Sequence, residues 1–215
     1  EIPDTKKPIV SSVFAYPLSK DAQINQSENR VKIRLIRQKD GSYKAENIIA
    51  FGKIGFGIST YDQQNGASNK NGVYKIDTYC NGKEKFKIAF EKFSFAETRY
   101  INRFIDYEYF KNNKSRIQKL FRQANNPLSI IQSENENGFI DVQEHLNYTY
   151  RIEVTDFKNN KVTISIPIKG EQQAIVKIRE SSITEDFIYA DEATSITKGK
   201  FNISYQQIVF MKMYI

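Results

Sequence analysis

The chain of 215 residues holds no tryptophan, a single cysteine, Cys80, and a single histidine, His145. Each scarcity closes off chemistry. A catalytic zinc centre takes about three protein ligands from His, Cys and carboxylate and leaves a position open for water. A Ser–His or Cys–His couple needs its imidazole beside a nucleophile, with a third group to orient it. With one copy of each, almost every familiar hydrolytic or metal-assisted mechanism is closed to this chain acting alone. The lone thiol also excludes an internal disulfide framework and decides nothing about compartment. Glycine and proline are sparse, at 10 and 5 residues, which excludes collagen-like and low-complexity classes. No apolar run approaches the roughly 20 residues that a membrane-spanning helix requires.

What is present is a globular composition, 40% apolar with 13 Tyr and 15 Phe. At 25.0 kDa the chain is long enough for one large domain or two small ones. The opening residues, Glu1-Ile2-Pro3-Asp4, show neither Met nor the apolar core of a signal peptide, so a processed form or an excised piece is expected. Thirty-two Lys and Arg against 25 acids give a net charge of +7. The basic residues scatter along the chain without a recognisable nucleic-acid module. The surplus therefore points to solubility or to attraction towards an acidic envelope or membrane surface, and away from nucleic acid.

Period-2 patterns dominate. Residues 1–7 read as a linker, Ile9 to Tyr16 between two prolines as a first strand, and 19–29 as a polar loop. Val31, Ile33 and Leu35 alternate with Lys32 and Arg34; Asp40-Gly41 supplies a hairpin turn and Tyr43 to Phe51 runs back. Ile54 to Tyr61 reads as a core strand. Val73 to Tyr79 alternates, Asn81-Gly82 supplies a type I′ turn, and Phe86 to Phe90 returns. Tyr148 to Thr155 and Val162 to Ile168 make the strongest hairpin, turning through Asp156–Asn160. Hairpins without βαβ units predict a sandwich.

From about 95 to 124 the period becomes helical. Ser94 with Glu97 is a capping box, and Ile101, Phe104 and Ile105 share one helical face. A second helix over Ser115–Gln123 places Ile117, Leu120 and Phe121 inside, before Asn125-Asn126-Pro127 stops it. Lys169–Gln173 reads as a linker. Strands near 174–178, 187–189, 201–205 and 208–214 then form the start of a second, smaller β domain, or pack on the first. The apolar end, IVFMKMYI, is expected to continue in the natural protein.

Few residues invite chemistry. His145 has only Asp141 and Glu144 as local partners and reads as a loop histidine. Cys80, at the end of an alternating strand, reads as a structural thiol. The loop Asp62–Gly72 gathers oxygen ligands suited to calcium, Asp62, Asn65, Ser68, Asn69 and Asn71. It has one carboxylate and lacks the D-x-[DN]-x-[DN]-G pattern, so a solvated loop is the stronger reading and no metal or cofactor is assigned. Glu97, Asp106 and Glu108 are explained by capping and solvation, with no acid/base dyad in view.

The helical insertion is the unusual element. From Glu97 to Arg122 it carries seven Lys/Arg and three acids, interleaved with Tyr100, Phe104, Tyr107, Tyr109, Phe110 and Phe121. Tyr and Arg are common interface anchors, which nominates Arg99, Tyr100, Arg103, Tyr107, Arg116 and Arg122 as partner-binding residues. The competing reading is a helix pair covering a sheet edge, with its basic face in water.

The strings GISTYD, NGASNKNGVYKIDTYCNGK, FSFAETRYINRFIDY, IQKLF and RIEVTDFKNNKVTISIPI resemble the region downstream of the catalytic domain in certain lysostaphin-type zinc endopeptidases. These are envelope proteins of some Gram-negative bacteria. The resemblance is collinear over roughly residues 4–168 and looser over 171–215. That family's catalytic signatures, H-x3-D and H-x-H, do not occur in this sequence, so no catalytic residue carries over and His145 matches neither. The resemblance implies the non-catalytic C-terminal part of such a protein and a periplasmic location. Where the family usually reads D-x-x-G-N at the last hairpin turn, this chain has Asn159 in place of Gly. Asn tolerates a positive φ, so the hairpin should persist.

The expectation is thus an immunoglobulin-like β-sandwich over 8–168 with the helical insertion, followed by a second β segment from 174. It would act as an interaction or positioning module for an envelope protein or its own upstream peptidase domain. The alternative is a module that docks on peptidoglycan glycan through exposed Tyr43, Tyr74 and Tyr79. Neither nucleic-acid binding nor membrane spanning is expected.

Overall fold

The computed structural model describes residues 3–92, 94–133 and 137–174. Compactness divides the chain into Glu1–Ala174 and Ile175–Ile215. The expected strands beyond Ala174, and the second β domain they would open, lie outside the described residues. Strand accounts for 45% of the structure and helix for 10%, so the fold is mainly β.

Among the described residues, twelve strands join in one hydrogen-bonded sheet. They are β1 Ile9–Pro17, β2 Gln23–Ile24, β3 Val31–Ile33, β4 Leu35–Arg37, β5 Tyr43–Ala45 and β6 Ile48–Tyr61. The others are β7 Lys75–Cys80, β8 Lys83–Ala89, β9 Gln118–Lys119, β10 Ile140–Val142, β11 Asn147–Thr155 and β12 Lys161–Gly170. The main path runs β3-β1-β6-β12-β11-β7-β8. Of the three expected hairpins, those turning at Asn81-Gly82 and Asp156–Asn160 form as expected, while the one at Asp40-Gly41 forms only between Leu35–Arg37 and Tyr43–Ala45, Val31–Ile33 pairing with β1 instead. Asn81 and Gly82 have φ of 49° and 84°, the paired positive values of a type I′ turn. In the β11–β12 turn Asp156 Oδ1 accepts the Lys158 and Asn160 amides at 2.8 Å each. Asn159 sits at φ 65°, the left-handed conformation expected of it.

β6 is the spine. Its start, Ile48–Ala50, lies parallel to Ile168–Gly170 of β12, while Ala50 and Phe51 pair with β2. Its remainder pairs with β1, β10 and β9. The change of partners falls at Gly52, whose φ of 74° favours glycine and where a Cβ would lie 3.0 Å from the Ala22 Cα. Alternate residues Tyr150, Ile152 and Val154 of β11 and Val162, Ile164, Ile166 and Ile168 of β12 are buried. Phe56 of β6 stacks on Tyr150 with centroids 4.2 Å apart. These two strands share no hydrogen bonds, so the sheet folds back over a common core. Each such aliphatic side chain contributes about 1.5–3 kcal/mol by leaving water.

The insertion differs from expectation. It holds a 3-10 helix, Phe95–Tyr100, then α1 Ile101–Phe104 and α2 Tyr107–Asn113. Lys114, at φ 55°, ends α2, and no second helix forms over 115–123. Residues 115–119 hold no helix, with β9 paired to Gly57 and Ile58 of β6, and the chain bends at Leu120 and Phe121. Ile117, Leu120 and Phe121 are indeed buried, but against a trough of glycines. A Cβ on Gly55 would lie 2.6 Å from the Phe121 ring, and one on Gly57 2.8 Å from Ile117. Burial against that trough outweighs the helical periodicity. The capping box is also half realised: the Ser94 hydroxyl accepts from the Ala96 amide, while Glu97 turns away to Ser129, accepting its hydroxyl at 2.8 Å. The polar loop 19–29 hides β2, the chain breaks pairing at Arg34, and β12 continues through Gly170 into the segment expected as linker.

Candidate interaction site

The insertion is fixed to the sheet by Asp106. Its carboxylate, 6% exposed, caps α2 by accepting the Tyr109 amide at 3.0 Å through Oδ1. Oδ2 accepts the Tyr16 hydroxyl at 2.9 Å and pairs with Arg30 at 3.4 Å. Burial, and then the Asp106 charge, drive the Tyr16 phenol far above its ordinary pKa. Glu108 shares Arg30, also at 3.4 Å. Asp106 and Glu108 therefore cap and anchor, as their sequence positions imply.

Beyond the helices the extended segment and the approach to β10 enclose a groove of about 620 Å³. Tyr100, Arg122, Gln123, Ala124, Asn125, Asn126, Pro127, Asn137 and Phe139 line it. Arg103 Nη1 holds one wall, donating to the carbonyls of Ala124 and Asn125 at 3.0 Å each. Arg122 Nη2 donates to the Ile131 carbonyl at 3.0 Å, while its buried Nε has no hydrogen-bond partner among the described residues. Phe139 packs on Phe121 at 5.7 Å and under the Lys53 ammonium at 4.6 Å. The lining thus offers two rings, one guanidinium that only donates, and four carboxamides, which both donate and accept.

The six nominated residues divide. Tyr100 and Arg122 line the groove, Arg103 supports it, and Arg99 covers Tyr100 with its guanidinium 4.8 Å from the ring. Tyr107 packs instead on Phe110 at 6.3 Å, and Arg116 lies over the same Phe110 ring at 4.9 Å. The sequence pattern does not single out the carboxamides, which look like loop residues in isolation. Nor does it single out Phe95, which is 98% exposed at the start of the 3-10 helix.

The three tyrosines of the glycan reading are engaged separately. Tyr79 lies beneath Arg151 at 4.5 Å, Tyr74 donates to Glu91 at 2.9 Å, and Tyr43 pairs with Ile164 at the edge of β12. None lines the groove. His145 is exposed in a left-handed turn, φ 64°, with its amide donating to the Gly170 carbonyl. Cys80 is buried, and burial raises its thiol pKa, which suppresses the thiolate. The Asp62–Gly72 loop does not gather its oxygens: Asn65 donates to Thr5 at 3.1 Å, and Ser68 and Asn69 are exposed. Asp62 alone turns inward, where it meets Asp4 and Asp156.

Comparison of the chain with family models, curated proteins and solved structures returned no match.

Proposed function

We propose that this chain is a non-catalytic interaction module, a β-sandwich of immunoglobulin-like kind that positions a partner polypeptide through the groove beside the insertion. The observation that carries the reading is the groove itself. Tyr100 and Arg122, residue types that anchor interfaces, flank side-chain amides able to pair with a peptide backbone. The setting implied by the sequence resemblance, a periplasmic protein related to murein peptidases, makes an upstream peptidase domain or another envelope protein the proposed partner. The carboxamides and rings also favour a second reading, a glycan strand of peptidoglycan.

One experiment separates them. The full chain is sedimented with isolated sacculi at low and moderate salt, and in parallel titrated with a lysostaphin-type peptidase domain of the kind that the sequence resemblance implies upstream. The partner-protein reading expects sacculus retention that vanishes in salt, as screened charge attraction does. It also expects domain binding that Tyr100→Ala weakens at least tenfold. Salt-resistant retention on sacculi, lost in Tyr100→Ala, transfers the groove to glycan. Absence of both overturns the module.

A further inference from the structure

Away from the groove three carboxylates from distant parts of the chain converge. Asp4, Asp62 and Asp156 each present one oxygen, and the three oxygens lie within 4.8 Å of one another. Asp62 sits just past the end of β6, and Asp156 opens the β11–β12 turn; they are 6% and 1% exposed. Asp156 is supplied with donors from its own turn, the amides of Lys158 and Asn160 and the Asn160 side chain at 2.8 Å. Asp62 is not so served. Its Oδ1 is enclosed and accepts no hydrogen bond from the described residues. An enclosed carboxylate oxygen without a donor, set among like charges, is costly unless something positive completes it.

We propose that Asp4, Asp62 and Asp156 bind a hard divalent cation, Ca²⁺, which fastens the segment around Asp4 to the end of β6 and to the β11–β12 turn. The donor set selects the metal. All three donors are oxygen, whereas zinc and copper favour imidazole or thiolate. Ca²⁺ takes six to eight oxygens at about 2.3–2.6 Å in an adaptable arrangement, which carboxylates from three separate segments can meet. Mg²⁺, at about 2.0–2.1 Å, demands a tighter cage and keeps its waters. Acid–base catalysis is the competing use of such a cluster, and burial of Asp62 and Asp156 denies a substrate contact with either.

The surroundings are built to pass a bound cation on to the N-terminal segment. Asn160 donates at once to the Asp4 carbonyl at 3.1 Å and to Asp156. Lys6 reaches the Gln64 carbonyl at 3.4 Å, and Asn65 reaches Thr5. A cation would close the one part of this junction that now repels.

The test uses the full chain stripped with EDTA, then melted with and without CaCl2 at constant ionic strength. At about one hundred times the dissociation constant the melting temperature rises by roughly 5–10 °C, and trypsin cleavage at the Lys6–Lys7 bond slows at least tenfold. Asp62→Asn melts no lower than wild type without metal, because the charge on the enclosed Oδ1 is gone, and gains nothing from Ca²⁺. Asp4→Asn, which leaves both buried carboxylates in place, weakens the Ca²⁺ response at least tenfold in concentration. No shift in wild type at about 10 mM Ca²⁺, well above the range of weak extracellular sites, overturns the proposal. So does an Asp62→Asn response equal to wild type, or an identical shift with Mg²⁺.

Discussion

At the scale of single residues the structure separates side chains that hold the fold from those free to meet a partner. Arg103 and Asp106 look alike from the sequence, charged residues in a basic-aromatic stretch, yet both are spent internally. The Tyr16–Asp106 bond gives a prediction with a pH sign. Tyr16→Phe removes a hydrogen bond to a buried carboxylate and is expected to cost about 1–2 kcal/mol in urea unfolding at neutral pH. The folded-state pKa of Tyr16 is raised above its ordinary value near 10. The stability it contributes is therefore fully present below that value and declines as pH rises above it, where the unfolded chain alone loses the proton. The gap between wild type and Tyr16→Phe should narrow above pH ~10. A gap that stays constant or widens there would exclude the bond as its source.

At the scale of elements, the sequence reveals whatever local chemistry decides. Asp40-Gly41, Asn81-Gly82 and Asp156–Asn160 carry their turns in a few adjacent residues, so the hairpins around them are legible. The stretch 115–123 is not. Its apolar spacing fits a helix, but its conformation is set by Gly55 and Gly57, some sixty residues earlier, whose missing side chains make room for Phe121 and Ile117. The acidic triad is hidden for the same reason, since nothing near position 4 or 62 announces position 156. The groove is half legible: Tyr100 and Arg122 stand out by type, while Asn125, Asn126 and Asn137 become a lining only once the chain has folded. The trough can be tested against a glycine with no such duty. Gly57→Ala forces a methyl against Ile117 and the Gln118 carbonyl at 3.2 Å and is expected to cost about 1–3 kcal/mol. Gly72 has open space around its would-be Cβ, so Gly72→Ala should stay within about 0.5 kcal/mol. Equal effects in chemical denaturation would refute the close-packing account.

At the scale of the whole molecule the question is where the folding unit ends. The buried hydrophobic side chains of the core run from Val10 to Ile168 among the described residues. They include the contacts that join β6 to β11 and β12 and the insertion to β6. A single core of this size removes about two thirds of the surface that the unfolded chain exposes, enough for independent stability. The compact unit Glu1–Ala174 should therefore fold without residues 175–215. A chain ended at Ala174 is expected to unfold in one cooperative transition, with a midpoint within about 3 °C of the full chain, a difference of roughly 1 kcal/mol at this size. Differential scanning calorimetry of the two chains decides the matter. A broadened transition, or a midpoint lower by about 10 °C, would show that the residues after 174 complete the core, which is the alternative in which the final strands pack on the first domain. A matched midpoint would leave the segment after 174 free of that task. The groove and the acidic triad would then both belong to a body that stands alone, and both binding experiments could be run on it directly.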